Sequence, residues 1–237
     1  MEKLNIGLFN DSFPPTIDGV ANVTINYARK INEKYGSATV ATPYYPKVKD
    51  DYPFEVIRYP SAYINKSIGY RAGMPFDPVT INKLAYKNFD IIHSHCPFVS
   101  TMLARMVRAQ TNVPIIFTYH TKFDIDIDKA MASDLMCKAS IKFILNNINA
   151  CDEVWVVSNG AGENLRSLGY TGEYVIMENG TDFTKGRSPQ NCVDELKRSL
   201  NINDSDTVFL FVGRLMWYKG IRLSLDGLRA AKSNRCV

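Results

Sequence analysis

The sequence predicts an α/β fold built on a doubly wound parallel sheet. Three observations predict it: short apolar runs recur along the 237 residues, segments with helical spacing stand between them, and several runs are apolar on both faces. Strands are expected at residues 4–9, 39–42, 54–59, 90–93, 115–119, 153–157, 174–177 and 208–212. Helices are expected at residues 20–35, where Val20, Val23, Tyr27, Ala28 and Ile31 form one stripe, and at 99–109 and 135–148. In such a sheet ligands gather at the carboxyl ends of the strands.

After "ENGTDF", residues 178–183, the composition turns polar through residue 206, with one helix expected near 193–200. This places a first domain at 1–183, a linker at 184–206, and at 207–237 the first strand and helix of a second Rossmann-like domain. An apolar content of 46% suits a sizeable core. The net charge of +4, from 28 basic and 24 acidic residues evenly spread, gives no basic track for nucleic acid. Cys96, Cys137, Cys151, Cys192 and Cys236 are odd in number and lack a C-x-x-C pair, which favours reduced thiols over a disulfide framework or a zinc site. The opening "MEKLNIGLFN" reads as a first strand and not a signal peptide, and no stretch approaches the ~18 apolar residues of a spanning helix. A soluble, cytoplasmic protein is expected, with contact to the inner face of a membrane left open.

The first strand runs into "NDSFPPTIDGV", residues 10–20. A dinucleotide-binding turn would carry G-x-G-x-x-G; here there are two prolines and one glycine. Gly19 stands directly before a helix, where free N–H groups favour an anion and a side chain would block close approach, although a simple turn explains it equally well. All three histidines, His93, His95 and His120, fall at the carboxyl ends of two expected strands. His93 and His95 are expected to point opposite ways, which would make them poor joint ligands of a metal. Asp124, Asp126 and Asp128 of "FDIDID" are available to complete a hydrolase metal site with His120, but a solvated acidic loop is the better reading, and no metal is expected.

"VSNGAGENL" gives a strand end and a helix start, with Ser158 or Asn159 as cap or as a substrate-facing group. "ENGTD" suits a tight turn from which Asn179 or Asp182 reaches a ligand. In "VGRLMWYKG", Arg214 and Lys219 stand five apart in a loop that opens a helix, which favours an anion site over two solvated cations.

The order of "NDSFPPTIDGVANV", "FDIIHSHCPF", "IIFTYHTKF", "DEVWVVSNGAGENL", "ENGTDF" and "FVGRLMWYKGI" resembles that of the retaining glycosyltransferases of family four, from Leu4 to about Ala231. These are GT-B enzymes that move a sugar from a nucleotide-sugar donor. The resemblance implies a GT-B type N-terminal Rossmann-like domain followed by the truncated start of a second one. It implies a UDP- or GDP-hexose donor, a lipid or glycan acceptor and no metal. Gly19 would let the donor diphosphate and transferring sugar approach, His120 would face that sugar as the catalytic histidine, and Arg214 and Lys219 would hold the diphosphate. Asp18, His95, Ser158 and Asn179 are further cleft candidates. "PTIDGV", "HSHCPF" and "TYHT" look most like bacterial members that glycosylate lipids such as diacylglycerol or phosphatidylinositol, hence a peripheral membrane surface as a partner.

In that family a full donor domain with an E-x7-E motif follows "VGRL…KG", so this chain is expected to be a truncated, catalytically incomplete form. A non-catalytic acceptor- or partner-binding module is the alternative, and a metal-dependent hydrolase the third reading. Residues 208–212 are apolar on both faces, and leaving such side chains exposed forfeits on the order of 10 kcal/mol. The tail is therefore expected to be disordered, folded on the first domain, or paired with another chain, self-association included.

Overall fold

Leu8 and Phe9 are neighbours in the first strand and face opposite ways, and each meets its own layer of helices. In the computed structural model, which describes residues 3–16, 18–65, 70–120, 133–183, 185–213 and 219–231, β1 (Leu4–Phe9) turns Leu8 toward Phe13, Ala28, Val40 and Phe54. Phe9 packs instead with Tyr59, Leu84, Ile92 and Leu103. The first cluster includes α1 (Gly19–Lys34); the second includes α2 (Pro78–Ala85) and α3 (Val99–Thr111). A third cluster joins Phe117, Tyr119 and Val156 to α4 (Asp134–Ile148) and α5 (Asn159–Ser167).

The sheet has seven strands in the order β3 (Glu55–Tyr59), β2 (Gly36–Pro43), β1, β6 (Ile91–Ser94), β7 (Ile115–Tyr119), β8 (Glu153–Val156) and β9 (Val175–Ile176). Every pair is parallel. The chain winds outward through β2 and β3, then crosses back over an antiparallel hairpin, β4 (Ser61–Asn65) with β5 (Tyr70–Gly73), and α2, to lay β6 on the other side of β1. This reversal of winding opens a crevice at the carboxyl ends of β1 and β6, the place where doubly wound sheets bind ligands.

The expected strands up to residue 177 all form, with ends shifted by a few residues. The hairpin and α2 were not expected. The start of α2 was legible, because Asp77 caps it by accepting from the Thr80 N–H and Pro78 occupies the first turn, where its missing N–H costs nothing. The expected strand at 208–212 does not form: no strand is assigned among the described residues there, and Val208, Phe209, Leu210 and Val212 are 61–84% exposed. A parallel strand needs a neighbour for its N–H and C=O groups and helices over both faces.

The chain divides into two compact units, Met1–Asp182 and Phe183–Val237. The second contains α6 (Gln190–Ser199) and α7 (Ile221–Ala230), neither of which buries a residue, and no strand among its described residues. The first unit therefore carries the core. A chain ending at Asp182 is expected to unfold at the same urea concentration as the whole protein, whereas Leu103→Ala, at a fully buried position, is expected to cost ~2–5 kcal/mol. Equilibrium unfolding of both variants checks this.

Candidate functional site

The loop from β1 to α1 crosses the crevice, and almost every residue of it is tied down. Asn10 is buried; its Nδ2 donates to Thr24 Oγ1 at 2.9 Å, and its Oδ1 accepts from the Ser12 N–H at 3.2 Å. Asp11 turns the other way and accepts from the N–H groups of Val99 at 3.1 Å and Ser100 at 2.8 Å, and from Tyr59 Oη at 2.9 Å. Those two amides open α3, whose own cap position, Phe98, offers no side-chain acceptor. Asp11 thus serves as a helix cap supplied from another strand. Burial raises its pKa, while bonds from the Cys96 thiol, Tyr59 and the two amides pull the other way. The same burial pushes the Tyr59 hydroxyl and the Cys96 thiol well up.

Further along the loop, the nearly buried guanidinium of Arg58 donates to the Pro14 carbonyl at 2.8 Å and the Pro43 carbonyl at 3.0 Å while gripping Asp50 with two bonds of 2.7 and 2.8 Å. Thr16 Oγ1 and Tyr45 Oη lie 3.0 Å apart. Asp18 caps α1, accepting from the Ala21 N–H at 2.8 Å through one oxygen and from the Ser12 hydroxyl through the other.

Gly19 is the first residue of α1 and does not adopt a left-handed conformation. A Cβ there would meet nothing within 4 Å. Neither a left-handed backbone nor packing asks for glycine here; Gly19 is exposed, with open space over the first turn of the helix. Gly160, in the first turn of α5, stands in the same kind of space; Gly162 does not, since a Cβ there would lie 2.6 Å from the Tyr174 ring.

The three histidines assemble beside this loop. His93 and His95 do not diverge: residues two apart on a strand share a face, and their ring centroids are 4.2 Å apart. His93 Nε2 pairs with Thr118 Oγ1 at 2.7 Å, and His95 Nδ1 with His120 Nε2 at 3.0 Å. Tyr27 packs at 5.6 Å from the His95 ring and Trp155 at 5.0 Å from that of His93. Burial drives all three pKa values down, that of His93 to about 3 and that of His120 to about 4, with the Asp18 carboxylate opposing the fall at His120. His95 falls well below the ordinary value, from burial first and then from the other two imidazoles. The cluster is neutral at physiological pH, and its nitrogens bind one another and Thr118 instead of converging on an ion. Among the described residues no group of three potential ligands is placed to hold a metal, and Asp124, Asp126 and Asp128 lie outside those residues.

The structure therefore brings Asp18, Gly19, His95 and His120 together, with His95, only 2% exposed, lying behind His120 and not at the surface. Ser158 caps α5, accepting from the Ala161 N–H at 3.2 Å, and Asn179 is exposed after β9. Lys219 belongs to the second unit, just before the left-handed Gly220 that opens α7, and Arg214 lies outside the described residues. Sequence reading missed Asp11, Tyr59, Arg58 and Asn147. Asn147 is buried under the loop after β6, donating to the Pro97 carbonyl at 2.8 Å and accepting from Arg105 at 2.7 Å.

Residues 17–185 match the family described as Glycosyltransferase Family 4. The chain is 24% identical to the alpha-monoglucosyldiacylglycerol synthase of Streptococcus pneumoniae, over 94% of this chain and 51% of that protein. It is also 24% identical to the GDP-mannose-dependent alpha-mannosyltransferase of Corynebacterium glutamicum, over 93% of this chain and 54% of that protein. The chain thus spans about half the length of the curated relatives it matches. A solved glycosyltransferase from Rickettsia africae ESF-5 superposes with a TM-score of 0.62 at 15% identity, over 98% of this chain and 58% of that one, a likeness of fold.

The neutral histidines set a pH dependence. Their folded pKa values lie below the ordinary 6.5, so as pH falls the unfolded chain takes up protons that the folded chain refuses, and stability present above pH 6.5 is lost on the way down to about 4 for His120 and about 3 for His93. At ~1.4 kcal/mol per pH unit, His120 alone removes ~2 kcal/mol between pH 6.5 and pH 5. Asp11, with its raised pKa, acts with the opposite sign but over carboxylate-range pH. Urea midpoints at several pH values check this, and a flat profile from neutrality to pH 5 contradicts it.

Proposed function

Because the chain belongs to glycosyltransferase family 4, we propose that its first unit is the acceptor-side half of an enzyme that transfers a hexose, with retention, from a UDP- or GDP-hexose to a lipid or glycan acceptor. In this reading residues 1–183 form the acceptor-side domain, 184–206 the linker and 207–237 the start of the donor domain. Gly19 gives the transferring sugar close access to the first turn of α1. His120 hydrogen-bonds the transferring sugar through a neutral ring; with a pKa of about 4 it is not a proton source at neutral pH. Asp18 lies close enough to His120 to act on its charge and is a second hydroxyl acceptor at the same edge. Arg214 and Lys219 hold the diphosphate and offset the charge that grows on the leaving nucleotide. Ser158 and Asn179 are peripheral contacts. No metal takes part, and a lipid acceptor is met at the inner face of a membrane.

The observation that carries this reading is the open space over Gly19 at the first turn of α1, next to Asp18, whose charge acts on His120: room for a sugar ring beside groups that can bind its hydroxyls. The names of the relatives support the chemistry, since one is a diacylglycerol glucoside synthase and another is GDP-mannose-dependent.

Titration of UDP- and GDP-hexoses into the 15N-labelled chain tests it. The expected result is weak binding, with Kd ~1 mM or above, that shifts the Gly19 amide and the His120 ring without turnover. Micromolar binding with turnover would refute catalytic incompleteness, and no shift at either residue would leave the non-catalytic acceptor module as the better account. Gly19→Ala should leave the unfolding free energy unchanged or raise it by up to ~1 kcal/mol, because alanine is the better helix residue, and should abolish the shifts.

A further inference from the structure

His95 is an enclosed polar side chain of the carboxyl edge that the reading above does not use. It is 2% exposed, its backbone N–H donates to the Phe9 carbonyl at 2.9 Å, and its ring is held between His93 at 4.2 Å and Tyr27 at 5.6 Å. Its Nδ1 lies 3.0 Å from His120 Nε2, and its own Nε2 is buried without a partner among the described residues.

We infer that His95 is a positioning residue: its Nδ1–H donates to His120 Nε2 and so fixes His120 in the tautomer that carries the remaining ring proton on Nδ1, the nitrogen left to a ligand. Two neutral imidazoles own two N–H groups between them, and only one can occupy the shared bond. Were His120 the donor, the proton of His95 would sit on Nε2, a buried N–H with no acceptor. Buried N–H groups left without an acceptor are rarer in proteins than under-satisfied acceptors. With His95 as donor, what is buried there is a lone pair.

His120 is only partly exposed, and its Nδ1 has no partner among the described residues, so the ring offers one directed donor to an incoming oxygen. In the sugar-transfer reading, on which this consequence rests, that oxygen is a hydroxyl of the transferring hexose; the tautomer itself is a property of the chain without ligand.

Long-range 1H–15N correlation spectra of the 15N-histidine-labelled protein near neutral pH read the tautomer directly. The expected spectrum has a protonated Nδ1 and a bare Nε2 on both His95 and His120, and a protonated Nε2 on His120 overturns the inference. In His95→Phe, which keeps a flat ring but no donor, His120 should move predominantly to the Nε2–H form; in His95→Gln, whose amide can donate, it should keep Nδ1–H. An unchanged His120 tautomer in His95→Phe would show that His95 does not set it. Where a variant fails to fold, the wild-type spectrum decides alone. A chain that shows the expected tautomers but binds no nucleotide sugar supports this inference and removes only the sugar reading.

Discussion

A single carboxylate, Asp11, holds the carboxyl edge together. It leaves the end of β1, reaches the first two amides of α3 and takes the Tyr59 hydroxyl from the end of β3, with the Cys96 thiol as a further donor. A side-chain cap of this kind stabilises a helix by ~0.5–2 kcal/mol, and removing it would also strand a buried hydroxyl and two helix amides. The carboxylate is itself tolerable so far from water only because these donors surround it. Three segments distant in sequence, the loops after β1 and β6 and the end of β3, are thereby tied at the point where the winding of the sheet reverses.

That knot makes the next loop rigid without any regular structure of its own. Arg58 fixes the Pro14 carbonyl, Ser12 is shared between Asn10 and Asp18, and Asp18 closes the loop by capping α1. The loop thereby holds Asp18 and Gly19 at the edge where His120 follows β7. The neutral histidine cluster follows from the same packing: the rings are too deeply placed to charge, and His93 pairs with Thr118 and His95 with His120.

The parts of this architecture that were legible in the sequence are those written locally. The strands of the parallel sheet announce themselves as apolar runs because both faces are covered, and α3 and α4 show their buried stripe, whereas α1 buries Ala21, Thr24 and Ala28, so that of its expected stripe only Ala28 is buried. The antiparallel pair β4 and β5 does not, because "SAYINKSIGYRAG" has neither a strand's alternation nor a helix's stripe, and its pairing is set by Ser61, Ala62 and Tyr63 meeting Gly73, Ala72 and Arg71 on the other strand. Residues 208–212 have the local pattern of a buried strand but no neighbour, which shows that such a pattern records a demand for partners and not their presence. At the site, Gly19 and the histidines were visible as residue types at strand ends. Asp11 and Arg58 were not, since their partners lie 88 and 44 residues away. One signal for Asp11 existed: α3 starts at "CPF", with no side chain able to cap it, so its first amides had to be answered from elsewhere.

The charge at this edge limits what the first unit can hold. The N-terminus of α1 would ordinarily attract an anion, but the Asp18 carboxylate already occupies that role, and a diphosphate brought beside it would meet a like charge. The histidines offer no compensating cation because burial keeps them neutral, and the Arg58 guanidinium is committed to Asp50 and two carbonyls. Carboxylate oxygens, a neutral imidazole and open space over Gly19 make this edge a poor site for a diphosphate and a better one for the hydroxyls of an uncharged ligand.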